Sequence, residues 1–274
     1  MARHNNAMHA KPDLRVVLEW TIGRSGSVIA DVIQLGEEML RSICLFTLLM
    51  CVGCGNDPTP TKIQLRDLAQ GLIKHESAKM FFPYSSVDDE SYERVGTKLS
   101  WRVQILPFIG ESQLYEEFKH DEPWDSTHNL ALVNRMPKLF KCDHVNLPLG
   151  KTLFAMPMIS KETFSSNPEF APFFAPNSPT TFRNMKDGFS NTIMIVEVNP
   201  NRAATWTAPQ DWEFDPDGSK AGLGEAWPDR ILVALGDGSV HSLKKDIAES
   251  DVVSLMTRNG GEKNRFTKSM LLKD

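Results

Sequence analysis

The chain has 274 residues, of which 41% are hydrophobic and 24% are charged, a composition that supports a globular domain with a substantial core. The formal net charge is -5, and the basic residues are scattered among acidic ones, which argues against nucleic acid as a partner. No apolar stretch approaches the roughly 20 residues that a transmembrane helix needs, so a membrane-spanning helix is not expected.

The first clear pattern is that of a lipoprotein signal peptide. A short basic start at Met39 is followed by the apolar run Ile43–Val52, and Gly53 and Cys54 end this run abruptly. A small residue directly before a cysteine at the end of an apolar run is typical of a lipobox. In a lipobox the thiol receives a diacylglyceryl group, and the chain is cut before the cysteine. The leucine usual three residues before that cysteine is here Cys51.

Two other interpretations of this segment are open. Cys51 and Cys54 could form half of a zinc site or a redox pair, but no second cysteine pair follows. The run could also be a buried core helix, but nothing polar marks one of its faces. Lipidation of Cys54 would anchor the protein to a membrane outside the cytoplasm. Gly55 after the cysteine, in place of aspartate, favours the outer membrane by analogy with lipoprotein sorting elsewhere.

The pattern divides the chain into four parts. Residues 39–53 are the predicted signal peptide, 54–60 a polar tether and 61–274 a single domain. Residues 1–38 precede the signal peptide, which indicates a start codon assigned too far upstream or a disordered extension. Gly36-Glu37-Glu38 is what a purine-rich ribosome-binding site would spell if it were translated.

A helix is predicted directly after the tether. Thr61 and Gln64 have the spacing of a capping box, and apolar residues then recur at helical intervals to Ile73. His75 lies near the end of this helix, where cations favour the helix dipole, and it is interpreted as a solvated residue. Two short helices are expected within Ser100–Phe118, the second over Ser112–Phe118. Further helices are predicted at Ser126–Met136 and Asp246–Met256.

The second half of the chain is predicted to be rich in β-strands, at Leu153–Met158, Thr192–Val198, Arg230–Leu235 and Ser239–Leu243. Asp237 and Gly238 between the last two strands predict a hairpin turn, because glycine readily takes positive φ. Helices first and antiparallel strands later indicate an α+β fold. No glycine-rich loop joins a strand to a helix, so a parallel nucleotide-binding sheet is not expected.

An ordered series of segments resembles a planctomycete-type family of unknown function, which is also catalogued as an extracellular solute-binding type. The matching segments are Leu99–Ile109, Leu114–Phe118, Asp121–Asn129, Met136–Phe140, Asp187–Glu197, Trp206–Asp211, Gly236–Val240 and Thr257–Glu262. Members of that family carry a prepilin-like N-terminus and a C-terminal motif of histidine, nine residues, then Asp-Gly. The resemblance implies a pseudopilin-like domain, in which an N-terminal helix lies on an antiparallel sheet, and it implies no established activity.

This chain departs from the family pattern at two places. Trp227 stands where the histidine of the motif would be, ten residues before Asp237. The long apolar prepilin helix is replaced by the lipobox, so assembly into a pilus-like fibre is not expected.

Candidate metal ligands do not form a complete set. His120, His128 and His144 lie near acidic residues, but their spacing does not place two imidazoles on one helical face, and they are interpreted as surface histidines. Asp215 and Asp217 resemble the start of a calcium loop, but the glutamate that should close it is missing, so an Asx turn is preferred. No metal and no cofactor are predicted.

Nucleophiles also lack partners, so the sequence predicts a protein that is not an enzyme. Ser190 has no identifiable histidine and no Gly-x-Ser-x-Gly elbow. Cys142 has no catalytic pattern around it and is interpreted as a buried filler. The predicted role is that of a structural or interaction domain displayed on the envelope, with other envelope proteins as partners.

A ligand-binding lipoprotein for solutes or glycans is the alternative function, and a hydrolase is the third. Trp124, Trp206, Trp212 and Trp227 could present flat faces to sugar rings, whereas Trp101 is expected in the core. Indoles exposed side by side would favour glycan binding, and indoles dispersed in the interior would favour the structural role.

Overall fold

The computed structural model describes residues 57–83, 98–167, 171–174, 180–215, 220–261 and 266–272, and its first element is the 21-residue helix α1 (Thr59–Lys79). The carboxylate of Asp57 accepts a hydrogen bond from the backbone N–H of Thr59 at 2.9 Å. The helix therefore begins two residues before the predicted domain boundary at residue 61. At its other end, Met80 takes a left-handed conformation with φ 69° and donates its N–H to the carbonyl of Glu76.

The predicted capping box and the predicted exposure of His75 are both wrong. Thr61 is buried, and the Gln64 side chain donates instead to the carbonyls of Lys138 and Lys141, at 3.1 and 2.7 Å. His75 is only 5% exposed, and its Nδ1 lies 3.0 Å from the carbonyl oxygen of Phe81. Burial lowers the pKa of His75 and so disfavours its charged form. The predicted interaction with the helix dipole requires that charged form.

Five shorter helices follow within the described ranges. They are α2 (Trp101–Gln104), α3 (Ser112–Glu117), α4 (Thr127–Leu132), α5 (Lys161–Ser166) and α6 (Glu249–Met256). The two helices expected within Ser100–Phe118, and those expected near residues 126 and 246, are confirmed with shorter bounds. The hydroxyl of Ser126 caps α4 by accepting the N–H of Asn129.

Eight strands form three small sheets in the described part of the chain. They are β1 (Lys151–Thr152), β2 (Phe154–Ala155), β3 (Pro157–Met158), β4 (Ile193–Glu197), β5 (Ala204–Thr205), β6 (Trp212–Glu213), β7 (Arg230–Leu235) and β8 (Val240–Lys244). The main sheet is antiparallel in the order β2-β4-β7-β8, while β1 pairs with β5 and β3 with β6. Helix α1 packs against β7 and β8 of the main sheet. The α+β fold with an N-terminal helix is therefore confirmed.

The core lies where α1 meets the sheet. Leu65, Leu68 and Leu72 of the helix are fully buried, and every residue of β4 is buried. Strand β7 is buried from Ile231 to Leu235, which explains why an uninterrupted apolar run marks it in the sequence.

A buried ion pair joins α2 to the loop before β6. The guanidinium of Arg102 lies 2.7 Å from the Asp211 carboxylate, and both side chains are at most 1% exposed. Arg102 also donates to the carbonyl of Phe154 and to the hydroxyl of Ser100. Burial raises the pKa of Asp211 and lowers the pKa of Arg102. In each case the charge of the partner opposes the shift and offsets only part of it.

The turn between β7 and β8 has the geometry expected of its Asp-Gly pair. Gly238 has φ 82°, and its N–H donates to the carbonyl of Leu235 at 2.9 Å. The Asp237 carboxylate accepts from both the N–H and the hydroxyl of Ser239, at 2.9 and 2.6 Å. Burial opposes the charged form of Asp237, but the hydrogen bonds from Ser239 and Ser190 outweigh it and lower the pKa of this carboxyl.

Replacing Gly238 by valine should reduce the free energy of unfolding by about 1–3 kcal/mol, because a β-branched residue is strained at positive φ. The new Cβ would also lie 3.3 Å from the side chain of Ile73 on α1. Asp237→Asn is the matched control and should change stability little, because an amide oxygen can still accept from Ser239. Urea titrations of both variants would measure the difference. Normal stability of the valine variant would contradict this account of the turn.

Candidate functional site

A cavity of about 420 Å³ lies along the segment between α4 and β1. This volume falls within the range of small-molecule sites. The segment begins after a short 3-10 turn that ends at Phe140, and it ends at Lys151, the first residue of β1. We call this space the 141–151 cavity, and its lining residues are Met136, Lys141, Cys142, Asp143, His144, Val145, Asn146, Leu147, Pro148, Leu149 and Lys151.

His144 connects the cavity to a buried carboxylate. Its side chain is only 7% exposed, and its Nε2 lies 3.0 Å from Oε1 of Glu197, which is fully buried at the end of β4. The other oxygen of Glu197 accepts a hydrogen bond from the indole N–H of Trp227 at 2.5 Å. The rings of His144 and Trp227 stack with centroids 4.2 Å apart and planes at 17°. Stacking and the carboxylate together hold the imidazole in one orientation.

Cys142, two residues before His144, is not a thiolate at neutral pH. Burial raises the pKa of its thiol to about 12, and the negative charge of Glu197 acts in the same direction. The hydroxyl of Thr152 and the backbone of Leu153 oppose the shift without cancelling it. The expectation that Cys142 is a buried residue is confirmed.

The charged groups of the cavity are placed nearer to solvent. Lys141 and Asp143 form an ion pair at 2.9 Å with both side chains more than half exposed. Lys151 is half-buried at the other end of the segment, where β1 pairs with β5. The cavity thus combines a buried imidazole with ammonium groups at its rim and an apolar wall.

Three of the four tryptophans predicted as possible ligand-binding faces lie in the core. Trp206, Trp212 and Trp227 are at most 4% exposed, so their rings are not available to stack on a sugar. Their indole N–H groups donate to Val133, Ala221 and Glu197, respectively. Trp124 is half-buried and packs against the core. The fifth, Trp101, is fully buried as expected.

Each of the three histidines considered as zinc ligands contacts a different protein group. His120 and His128 hydrogen-bond to the backbone carbonyls of Tyr115 and Glu117, at 3.1 and 2.8 Å. His144 is buried against Glu197, so its interpretation as a surface residue is wrong. Of the calcium candidates, Asp215 is exposed and Asp217 lies outside the described residues. No cluster of three or more metal-ligand side chains occurs among the described residues.

Because the sequence predicts no complete set of metal ligands, removing divalent metal is expected to leave the melting temperature of the protein unchanged. A metal bound only by the native state would stabilise it by about 2.7 kcal/mol at a hundredfold excess over its dissociation constant, which is a readily measured shift. Calorimetry with and without EDTA would test this. A drop in melting temperature that added calcium restores would make Asp215 and Asp217 the first candidates as ligands.

The predicted lipidation site lies outside the part of the chain that the structure describes. Cys54, the predicted signal peptide at 39–53 and the extension at 1–38 all precede the first described residue, Asp57. Within the described ranges, no helix has both the length and the hydrophobicity that crossing a bilayer requires.

The pairing of His144 with Glu197 was not predicted, although the sequence carries one signal for it. Glu197 closes the apolar run Ile193–Val196, and a carboxylate on a buried strand needs a partner. The identity of that partner depends on how the 141–151 segment packs near β4. Local sequence patterns do not predict this tertiary contact. Trp227, noted only as a departure from the family motif, supplies the second hydrogen bond.

Comparison with known proteins gives one match. No curated protein and no solved structure matches the chain. Residues 61–228 match the family SBP_bac_10, described as protein of unknown function (DUF1559). The match includes α1 from Thr61 onwards, the 141–151 cavity, Glu197 and Trp227. Because it covers more than half of the chain, the protein belongs to this family of unknown function, DUF1559.

Proposed function

We propose that the protein is a lipid-anchored envelope protein whose domain binds a small solute in the 141–151 cavity. The observation that carries the proposal is the position of His144, a buried polar side chain that lines a cavity large enough for a small molecule. The family designation SBP_bac_10, which hints at extracellular binding, points in the same direction. The anchor would be the lipid on Cys54, and the location would be outside the cytoplasm, with the outer membrane favoured.

Binding without catalysis suits this cavity better than a hydrolase does. The nearby thiol of Cys142 is protonated at neutral pH, since the pKa of this group is raised to about 12. Nε2 of His144 faces Glu197, and the second oxygen of that carboxylate is taken by Trp227. Glu197 and Trp227 both contact the imidazole and hold it in place.

Intact-mass analysis of the membrane fraction tests the anchor. We expect a mature chain that begins at Cys54 and carries the added mass of a diacylglyceryl group. Cys54→Ser is the matched control and should shift the protein out of the membrane fraction. Unmodified peptides from residues 1–38 in the mature protein would refute the proposed signal peptide and anchor.

A solute screen on the purified full-length chain tests the binding function. Pools of amino acids, sugars and organic acids would be added, and the melting temperature followed. A stabilising solute should lose its effect in His144→Ala and keep it in His128→Ala, because His128 lies on α4 and hydrogen-bonds to Glu117. A stabilising solute that acts equally on both variants would place the site elsewhere.

A structural or interaction role is the second candidate, and the burial of the tryptophans favours it. Trp206, Trp212 and Trp227 stabilise the interior, so they offer no platform to a glycan. On this alternative the domain would serve as an anchored contact surface for other envelope proteins. Crosslinking in intact cells that captures one protein partner, with no solute detected in the screen, would favour it over solute binding.

A further inference from the structure

The charges around the 141–151 cavity are unequal. Its lining carries two ammonium groups, Lys141 and Lys151, and one carboxylate, Asp143, so these groups sum to +1. The Asp143 carboxylate lies 2.9 Å from Lys141, which balances that lysine. Lys151 carries the excess charge at the β1 end of the segment. The ammonium of Lys151 is therefore the group at this cavity that can attract an anion.

The imidazole of His144 adds a hydrogen-bonding group to the same wall. Because Nε2 faces Glu197, Nδ1 is the ring nitrogen that remains for a ligand. When the imidazole is protonated, Nδ1–H is a donor, and the buried carboxylate of Glu197 balances the charge. Stacking on Trp227 fixes the plane of the ring and therefore the direction in which this donor points.

The remaining lining is apolar and suits a carbon skeleton. Val145, Leu147, Pro148 and Leu149 follow His144 along the segment, and Met136 contributes from before it. Binding sites for small molecules commonly combine such walls with a few directed polar groups. The polar groups here are cationic or donating, apart from Asp143, which Lys141 neutralises, and the side-chain amide of Asn146.

We propose that the 141–151 cavity binds a small organic carboxylate, whose oxygens accept hydrogen bonds from His144 Nδ1 and the Lys151 ammonium. This inference rests on the proposed function and adds the chemical class of the solute. Hydrogen bonds between charged partners are about twice as strong as neutral ones, so the carboxylate provides both affinity and selection against neutral solutes of the same shape.

Calorimetric titration of the full-length chain tests the inference with acetate, citrate and glucuronate as probes. Glucose is the matched neutral solute, because it has the ring of glucuronate with a hydroxymethyl group in place of the carboxylate. We expect at least one carboxylate to bind, and glucuronate to bind at least about tenfold more tightly than glucose, the loss expected when a charged hydrogen bond is removed.

Two variants locate the site. Lys151→Met should weaken carboxylate binding at least about tenfold. Lys186→Met should leave it unchanged, because Lys186 is exposed and is not a lining residue. Circular dichroism of both variants would confirm that they fold. A carboxylate that binds Lys151→Met as tightly as the unchanged chain overturns the inference.

The outcome for neutral solutes separates this inference from the proposed function. Glucose binding as tightly as glucuronate, and lost in His144→Ala, would overturn the carboxylate class and leave solute binding in place. If none of the three carboxylates binds, the inference is also overturned, and the solute screen alone then decides the proposed function.

Discussion

Replacing Asp211 by alanine should lower the free energy of unfolding by about 3–5 kcal/mol, because it leaves the Arg102 guanidinium buried without its counter-charge. The same carboxylate oxygen accepts from the indole of Trp101 and the N–H of Met156, at 3.2 and 3.0 Å. Its loss therefore leaves three donors short of an acceptor, two of them on α2 and the third between β2 and β3. Urea or guanidinium titrations, analysed as a two-state transition, would measure the change.

The double variant Arg102→Met with Asp211→Leu is the control for this prediction. Burial raises the pKa of the acid and lowers that of the base, so each charge is held at a cost that its partner only partly offsets. Removing both charges should therefore be less destabilising than removing Asp211 alone. A double variant that is less stable than Asp211→Ala would mean that the pair itself, and not the orphaned charge, stabilises the fold.

Strands β7 and β8 could be predicted because their signals are local. An apolar run is bounded by Arg230 on one side and by an Asp-Gly turn on the other, and each feature depends only on neighbouring residues. The bounds of β7 agree with the predicted bounds, and those of β8 are shifted by one residue. By contrast, the single strand predicted at Leu153–Met158 is divided into two short strands, β2 and β3, which pair with β4 and β6 in different sheets.

Tertiary contacts explain why two predictions for α1 were wrong. Gln64 has the spacing of a capping residue, but its amide is used by carbonyls of the segment around Lys138. His75 sits among the rings of Phe81 and Phe108, at centroid distances of 5.8 and 5.4 Å. Neither neighbour can be identified from helical periodicity, which reports only which face of a helix is apolar.

The candidate site was missed for a related reason. The separate members of the site are visible in the sequence, but His144 was grouped with the histidines nearest to it in the chain. Its partner Glu197 comes from β4, and the ring that stacks on it, Trp227, precedes β7. Long-range packing thus determines which polar residues meet, while the sequence indicates that a buried glutamate needs some partner.

Glu197 connects Trp227 to the cavity. The indole N–H of Trp227 donates to the Glu197 carboxylate. The same carboxylate lies against an imidazole supplied by the 141–151 segment. The glutamate at the end of β4 therefore contacts both Trp227 and the wall of the cavity.

Replacing Glu197 by alanine should lower the free energy of unfolding by about 1–3 kcal/mol, because it leaves the buried indole N–H of Trp227 without an acceptor. The same substitution removes the carboxylate oxygen that lies 3.0 Å from Nε2 of His144. It should also abolish solute binding in the cavity, because the imidazole would lose the contact that orients it. Chemical denaturation and calorimetric titration would measure the two effects separately.

Glu197→Gln distinguishes the role of the carboxylate charge from its role as an acceptor. The amide oxygen can still accept from Trp227, and the amide N–H can donate to Nε2 of a neutral His144 whose proton is on Nδ1. Stability should therefore be largely retained. Binding of a carboxylate should fall, because the amide cannot balance a protonated imidazole. If the glutamine variant is as unstable as the alanine variant, the buried charge is essential to the fold. If it binds carboxylates normally, the imidazole does not act as a charged donor in this cavity.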